Sequence, residues 1–309
     1  MKYSGIGGQA VMEGVMMRNG DKYSIAVRKP DKEIDITIKN TRSNDDVWHK
    51  IPIIRGMITF VDSLTIGLSS LTYSASFFEE EEEKKVLTEE EQKKKDAREK
   101  ALMGGTVAFS FVLAMALFFA LPYFISLLLT KFVSSDMLLA FFEGVIRIAI
   151  FIGYIAAISK MEDIRRTFMY HGAEHKCINC IETGLPLTVD NVRKSSKQHK
   201  RCGTSFIFIV FIISVFFFMF IRFDSVWVKL VVRLLLIPVI AGISYEFIRL
   251  AGRTENKVIE VLSKPGMWLQ NMTTLEPDDT MIEVGIASVE AVFDWKDFHE
   301  KNRECFNEV

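Results

Sequence analysis

The chain has 309 residues and a formal net charge of −1, which leaves room for one membrane or globular unit with modest additions and excludes a basic surface built for nucleic acid. Hydrophobic residues make up 49% of it, including 25 phenylalanines, and they are gathered in blocks, which excludes an ordinary soluble domain through the middle of the chain. The expected partner is a lipid bilayer.

In chain order, residues 1–48 alternate polar and apolar positions, as in Tyr23-Ser24-Ile25-Ala26-Val27 and Ile34-Asp35-Ile36-Thr37-Ile38, around turn signals at Asn19-Gly20-Asp21 and Lys29-Pro30-Asp31. This predicts a small antiparallel sheet. The run Gly5-Ile6-Gly7-Gly8 invites a phosphate-loop reading, but its spacing fits neither the dinucleotide nor the Walker pattern and no Lys-Ser/Thr follows. Its glycines are read instead as permitting tight packing, with Glu13 and Arg18 paired, or with Glu13 reaching a metal site. Residues 49–78 are apolar but carry Arg55 and Asp62, which predicts an interfacial or re-entrant helix. Residues 79–100 are nearly all charged, opening with Glu79 to Glu83, and read as a solvated helix or linker.

No charged residue lies from Gly104 to Thr130 or from Gly203 to Ile221. Each stretch is long enough to cover a hydrocarbon core of about 30 Å, which needs roughly 20 helical residues. Two further segments are interrupted by charge: Met137 to Ser159 by Glu143 and Arg147, and Val226 to Ile248 by Lys229, Arg233 and Glu246. The expected architecture is an α-helical integral membrane protein of about four transmembrane helices, in regions 101–160 and 204–249, with a small β-rich N-terminal part and a helical C-terminal part over 250–309. The connections holding Lys131 and Arg222 are short, whereas Lys160 to Arg201 carries nine lysines and arginines, which the positive-inside rule places in the cytoplasm together with both termini. No secretory signal is recognisable at the N-terminus. The four cysteines all lie in the cytoplasmic parts and are expected to be reduced or metal-bound. Within the spans, Glu143 and Arg147 stand four apart with the acid first, the favourable helical order, and Arg233 could join them as a structural pair or as a polar cavity. After the last span, Arg249 to Leu262 reads as helix, Lys264-Pro265-Gly266 as a break, and Glu276-Pro277-Asp278-Asp279 as the acidic start of a helix to Val292.

Ligand-type side chains are densest in Tyr170-His171-Gly172-Ala173-Glu174-His175-Lys176-Cys177-Ile178-Asn179-Cys180 and in His199-Lys200-Arg201-Cys202-Gly203, in a region, 161–203, expected to be a metal-site loop. On a helix His171 and His175 are one turn apart on one face with Glu174 beside them. This H-x-x-E-H spacing inverts the H-E-x-x-H of zinc proteases, in which two histidines hold the ion and the glutamate serves as general base. A catalytic zinc takes three protein ligands. His199 is the first choice for the third, with Cys202, Glu182 and Cys177 as alternatives. A competing arrangement, Cys177, Cys180, His199 and Cys202, would suit a closed structural site, and a bare dithiol is a further reading.

The motifs Gly7 to Arg18, His171 to Lys176, Arg201 to Phe206, Pro265 to Gln270 and Thr273 to Pro277 closely resemble those of the bacterial YqhQ-like family, a family of unknown function, over nearly the whole chain. The resemblance implies a multi-pass protein of the bacterial inner membrane, labelled a metal-dependent enzyme without an assigned substrate. It carries over His171, Glu174, His175, Glu182, His199 and Cys202 but not Cys177 and Cys180, and has proline where this chain has Lys200. The leading expectation is a zinc-type hydrolase in which His171, His175 and His199 or Cys202 hold the ion, Glu174 activates water, and Arg201 or Lys176 steadies an anionic group of a lipid or membrane-peptide substrate. Iron and manganese suit such ligands too. The alternatives are a scaffold with a structural metal and an oligomeric transporter.

Overall fold

The computed structural model describes residues 2–41, 47–78, 89–221, 223, 225–254 and 256–307. The glutamate run Glu79 to Glu83 and the connecting Arg222 lie outside the described residues. The strands are β1 (Gly7–Val11), β2 (Gly14–Asn19), β3 (Lys22–Arg28) and β4 (Ile34–Asn40). The helices are α1 (Ile54–Ala75), α2 (Glu89–Met115), α3 (Leu121–Leu127), α4 (Asp136–Ile158), α5 (Glu162–Glu182), α6 (Val189–Lys194), α7 (Gly203–Phe220), α8 (Val226–Ala251), α9 (Lys257–Thr273), α10 (Asp279–Val292), α11 (Trp295–Lys301) and α12 (Arg303–Asn307).

The strands form an antiparallel meander in chain order, with Val11 opposite Gly14 and Asn19 opposite Lys22. Both turns are two residues long and use positive φ, at Glu13 (48°) and Gly20 (60°), as tight hairpins require. Alternation sends Val15, Met17 and Ala26 to one face and Met16, Tyr23, Ile25 and Val27 to the other, and both faces are buried. The first face packs on α5 and α10; the second packs on the end of α1 through Ile66 and Tyr73. Ser24 seals the first contact by donating to the Ser288 carbonyl at 2.6 Å.

Among the described residues, four helical stretches are long and apolar enough to cross a membrane: Ala101–Lys131, Asp136–Ile158, Gly203–Phe220 and Trp227–Ala251. α1 is not among them. Its first turn lies against α8, where a side chain on Gly56 would meet the Gly242 backbone, and Arg55 pairs with Glu246. The first apolar stretch is not uniform. Pro122 has no N–H for the Phe118 carbonyl four residues back, and the helix widens into a π-turn over Ala116–Ala120. That carbonyl is taken instead by Arg147 Nε at 2.8 Å.

Three expected boundaries shift. The charged segment from Glu89 to Lys100 takes the helical of its two expected forms and is continuous with the first apolar helix through Gly104 and Gly105. Region 161–203 is mostly helix rather than loop, since α5 alone runs 21 residues. Pro265 does not break α9, because it and Val261, whose carbonyl it leaves without a donor, both lie on the exposed face. Asp278 caps α10 by accepting from the Met281 N–H, as the acidic start of that helix predicts. At one end of the bundle α4 finishes, α7 begins, and α5 and the last turns of α9 meet them.

Candidate metal centre

α5 begins with Glu162 and Asp163, which suit the positive end of its dipole, and from Tyr170 to Glu182 only His171 is more than marginally exposed. At Gly172 the connection from α9 to α10 presses on the helix: a Cβ there would sit 2.0 Å from the Leu275 carbonyl oxygen. The same connection is tied down where the Leu275 N–H donates to the Phe168 carbonyl at 2.9 Å. It brings the Thr273 carbonyl within 2.9 Å of His171 Nδ1, while the Lys197 carbonyl lies 2.6 Å from His175 Nδ1. A carbonyl only accepts, so both imidazoles carry a proton on Nδ1, which leaves Nε2 as the nitrogen a cation would use. The ring centroids are 4.4 Å apart.

Cys202 completes the group. It caps α7, its sulfur accepting from the Thr204 N–H at 3.4 Å, and the same sulfur is 3.3 Å from His171 Nε2. One ligand atom each from His171, His175 and Cys202 fall within 4.8 Å of one another, and this is the one such group of histidine, cysteine or carboxylate side chains among the described residues. Glu174 stands beside it, Oε2 3.8 Å from His171 Nε2. Gly8 of β1 backs that carboxylate: a Cβ there would meet Glu174 Cγ at 2.9 Å, so the glycine is needed for close approach.

Electrostatics bind the three together. Burial would raise the Cys202 thiol, but the His171 and His175 imidazoles override it and hold it well below the ordinary thiol range; a helix N-terminus acts in the same sense. Burial would lower His171, yet the facing Cys202 sulfur takes it up to about 9, and His175 is raised for the same reason. Burial raises the Glu174 carboxyl against the opposing pull of the two histidines. Without a cation the cluster is neutralised by protons on imidazole. A divalent ion would replace them.

The other expected site residues divide. His199 is not part of the converging group: its Nε2 lies 3.6 Å from Glu182 and 3.3 Å from Arg201 Nη2, and burial lowers its pKa. Glu182 accepts from Arg201 and from the Ser4 N–H and hydroxyl at 2.9 and 2.8 Å. Burial works to raise its carboxyl, but the bond to His199 and the Arg201 charge prevail and bring it to about 2. Arg201 also stacks on Tyr3, 4.1 Å from the ring centroid. Lys176 is spent on the carbonyls of Arg193 and Ser195, both at 2.9 Å, and on Glu276. Glu13 does not pair with Arg18. It sits in the first hairpin turn and accepts from Arg166 at 2.5 and 2.6 Å, because the turn projects over α5, while Arg18 donates to the Gly20 carbonyl. Cys177 and Cys180 face the core between α5 and α10 rather than the histidines, so no four-ligand set with His199 and Cys202 forms among the described residues.

Several supporting groups have no signal of their own in the chain. Gln270 grips the His199 backbone from both sides, accepting its N–H at 2.9 Å and donating to its carbonyl at 2.8 Å. Asn179 donates to the carbonyls of Ser196 and Gln198. Both Gly8 and Gln270 lie inside short motifs already noted, but their partners are 166 and 71 residues away, where spacing carries no information.

Residues 51–295 match a family described as protein of unknown function (DUF1385). The chain is also 33% identical over 307 residues to the "Uncharacterized protein YqhQ" of Bacillus subtilis (strain 168), covering 98% of this chain and 96% of that protein. No solved structure matches. Neither description assigns an activity, and the matched span includes His171, His175, Cys202 and Glu174. With the family matched over most of its length and a relative aligned nearly end to end, this chain belongs to the DUF1385 family.

Proposed function

We propose that this protein is a metal-dependent hydrolase embedded in the bacterial inner membrane, with its site at the cytoplasmic surface. The observation that carries the reading is the convergence of His171, His175 and Cys202, with both imidazoles already oriented by backbone carbonyls. Three protein ligands leave a further coordination position for water, the arrangement of catalytic rather than structural zinc. A bound ion there would supply Lewis acidity toward water and a substrate carbonyl or phosphoryl oxygen. Glu174, buried beside the ligands, takes the proton from water and returns it to the leaving group. Zinc suits two imidazoles and a thiolate, and iron or manganese are the competitors.

The surface location is supported by Cys202, which immediately precedes the apolar helix Gly203–Phe220, and the nine basic residues between Lys160 and Arg201 favour the cytoplasmic side. A substrate presented there is a lipid headgroup or a membrane peptide. Plasma mass spectrometry on purified wild type and on a His171→Ala, His175→Ala variant tests the metal: near-stoichiometric ion in the first and its loss in the second, with the fold retained, is expected. Metal absent from freshly prepared and reconstituted wild type would sink the reading.

One observation favours a second reading, a scaffold whose metal is structural. α5 grips the carbonyls of Arg193, Ser195, Ser196, Lys197 and Gln198, so an ion could serve only to fasten that connection. Glu174→Gln separates the two. It keeps metal and fold in both cases, and removes turnover of lipid or peptide substrates only in a hydrolase.

A further inference from the structure

At the other end of the bundle from the candidate metal centre, Glu143, Arg147 and Arg233 are buried between the apolar helices, with 3%, 1% and 6% of their surface exposed. The two arginines are used differently. Arg147 spends all its nitrogens: Nε on the Phe118 carbonyl, Nη1 on Ser214 at 3.2 Å, Nη2 on Glu143 at 2.6 Å. Arg233 gives Nη1 to both oxygens of Glu143 at 2.7 Å, and its Nε is buried with no acceptor. An unpaired guanidinium nitrogen in a dry interior is costly, and the usual remedy is an anion held on two nitrogens of one edge.

The space for one is present. Arg233 lines a cavity of ≈50 Å³, together with Lys229, Tyr123, Glu143 and Asp136. Counting Arg147 behind it, three cations face two carboxylates there. Among the described residues the cluster thus carries one positive charge in excess, and charges inside a bilayer are neutralised by partners. Volume limits the ligand to a group of a few heavy atoms, since one water needs on the order of 10–15 Å³ of such space. A second metal is excluded by the sign of the charge. The hydroxyls of Ser126 and Thr130, also in the lining, donate to the Tyr123 and Leu127 carbonyls, so they are already spent.

We propose that this cavity is an oxyanion site in which Arg233 and Lys229 hold a phosphate-sized group. With the four helices spanning the bilayer, the site lies in the half away from the cytoplasm. Glu143 is seven residues into α4, about 10 Å along the helix axis at 1.5 Å per residue. That depth suits either a free anion or the headgroup of a lipid drawn between α3 and α8.

The test uses full-length protein in a neutral detergent, with thermal melting and native mass spectrometry as readouts, and inorganic phosphate or phosphatidylglycerol as probes against sodium chloride at equal ionic strength. A saturable rise in melting temperature and a retained adduct are expected with at least one probe. Phosphate alone sufficing identifies a free anion; phosphatidylglycerol acting where phosphate does not identifies a headgroup. Lys229→Gln should weaken the response roughly tenfold or more, the scale of one charge-assisted hydrogen bond. Arg233→Lys keeps the charge but removes Nε and should do the same; if it fails to fold, Lys229→Gln decides. No stabilisation by either probe, or a response unchanged in Lys229→Gln, would overturn the proposal.

Discussion

Two of the buried polar clusters, one at each end of the bundle, are unbalanced in opposite directions. At one end of the bundle two imidazoles, a sulfur and a carboxylate gather electron-rich atoms with no lysine or arginine among the ligands. At the other, two guanidinium groups share one carboxylate and one of them retains an unused N–H. Each cluster is assembled from several elements, and each keeps its members in place with backbone carbonyls: Thr273 and Lys197 at the first, Phe118 at the second. What differs is the sign of what is missing. On the readings proposed above, the first cluster takes a cation and the second an anion.

The largest expected effect would break the first half of this comparison. Cys202→Ala should abolish metal retention, whereas His199→Ala should leave the metal content unchanged, both read by plasma mass spectrometry; the reverse pattern would replace the thiolate by His199 in the ligand set. At the second cluster, Arg147→Met should destabilise the bundle by about 3–5 kcal/mol, the range for breaking a buried charge pair. Arg233→Met should cost less, because Arg147 serves three acceptors and Arg233 serves only Glu143. Equal losses in denaturant unfolding would erase the distinction between a structural and a ligand-holding arginine.

Gln270→Leu sharpens the account of the metal centre. It frees the His199 backbone three residues before Cys202, and metal affinity measured with a competing chelator should fall about 10-fold, within the range for supporting groups around metal ligands. A further effect is set by pH. In the metal-free protein the Cys202 sulfur, working against burial, takes His171 up to about 9, so near neutrality an ion must displace a proton from that ring. Affinity should therefore rise by up to about tenfold per pH unit from pH 7 and level off above about 9, with proton release visible as a dependence of the calorimetric heat on the buffer. A pH-independent affinity would mean that the imidazole is already neutral. Smallest of all, Glu13→Gln breaks a half-exposed ion pair with Arg166 on the sheet turn, away from both clusters, and should change stability by less than about 1 kcal/mol and metal content not at all.

Local signals carried much of this architecture. The four apolar stretches, the strands from Lys22 and Ile34, the acidic start at Asp278 and the one-turn pairing of His171 with His175 all follow from periodicity within a few residues. Arg233 joining Glu143 and Arg147 was also legible, since charge inside an apolar span has few options but to find charge. The choice between His199 and Cys202 was not. It depends on Gln270 and the α7 cap, which turn the sulfur inward and the imidazole toward Glu182. Glu13 likewise met Arg166 rather than Arg18 because a hairpin turn, not a helix or strand face, decides where it points.

The carbonyl of Phe118 has a consequence for how the chain is made. Pro122 deprives it of its helical donor, and the replacement, Arg147, is synthesised 29 residues later. A lone first helix entering lipid would expose both that oxygen and, afterwards, the charge meant for it, each at a cost of several kcal/mol. With these segments spanning a bilayer as proposed above, partition is more favourable when the two go in together as a preformed hairpin than when the first enters alone.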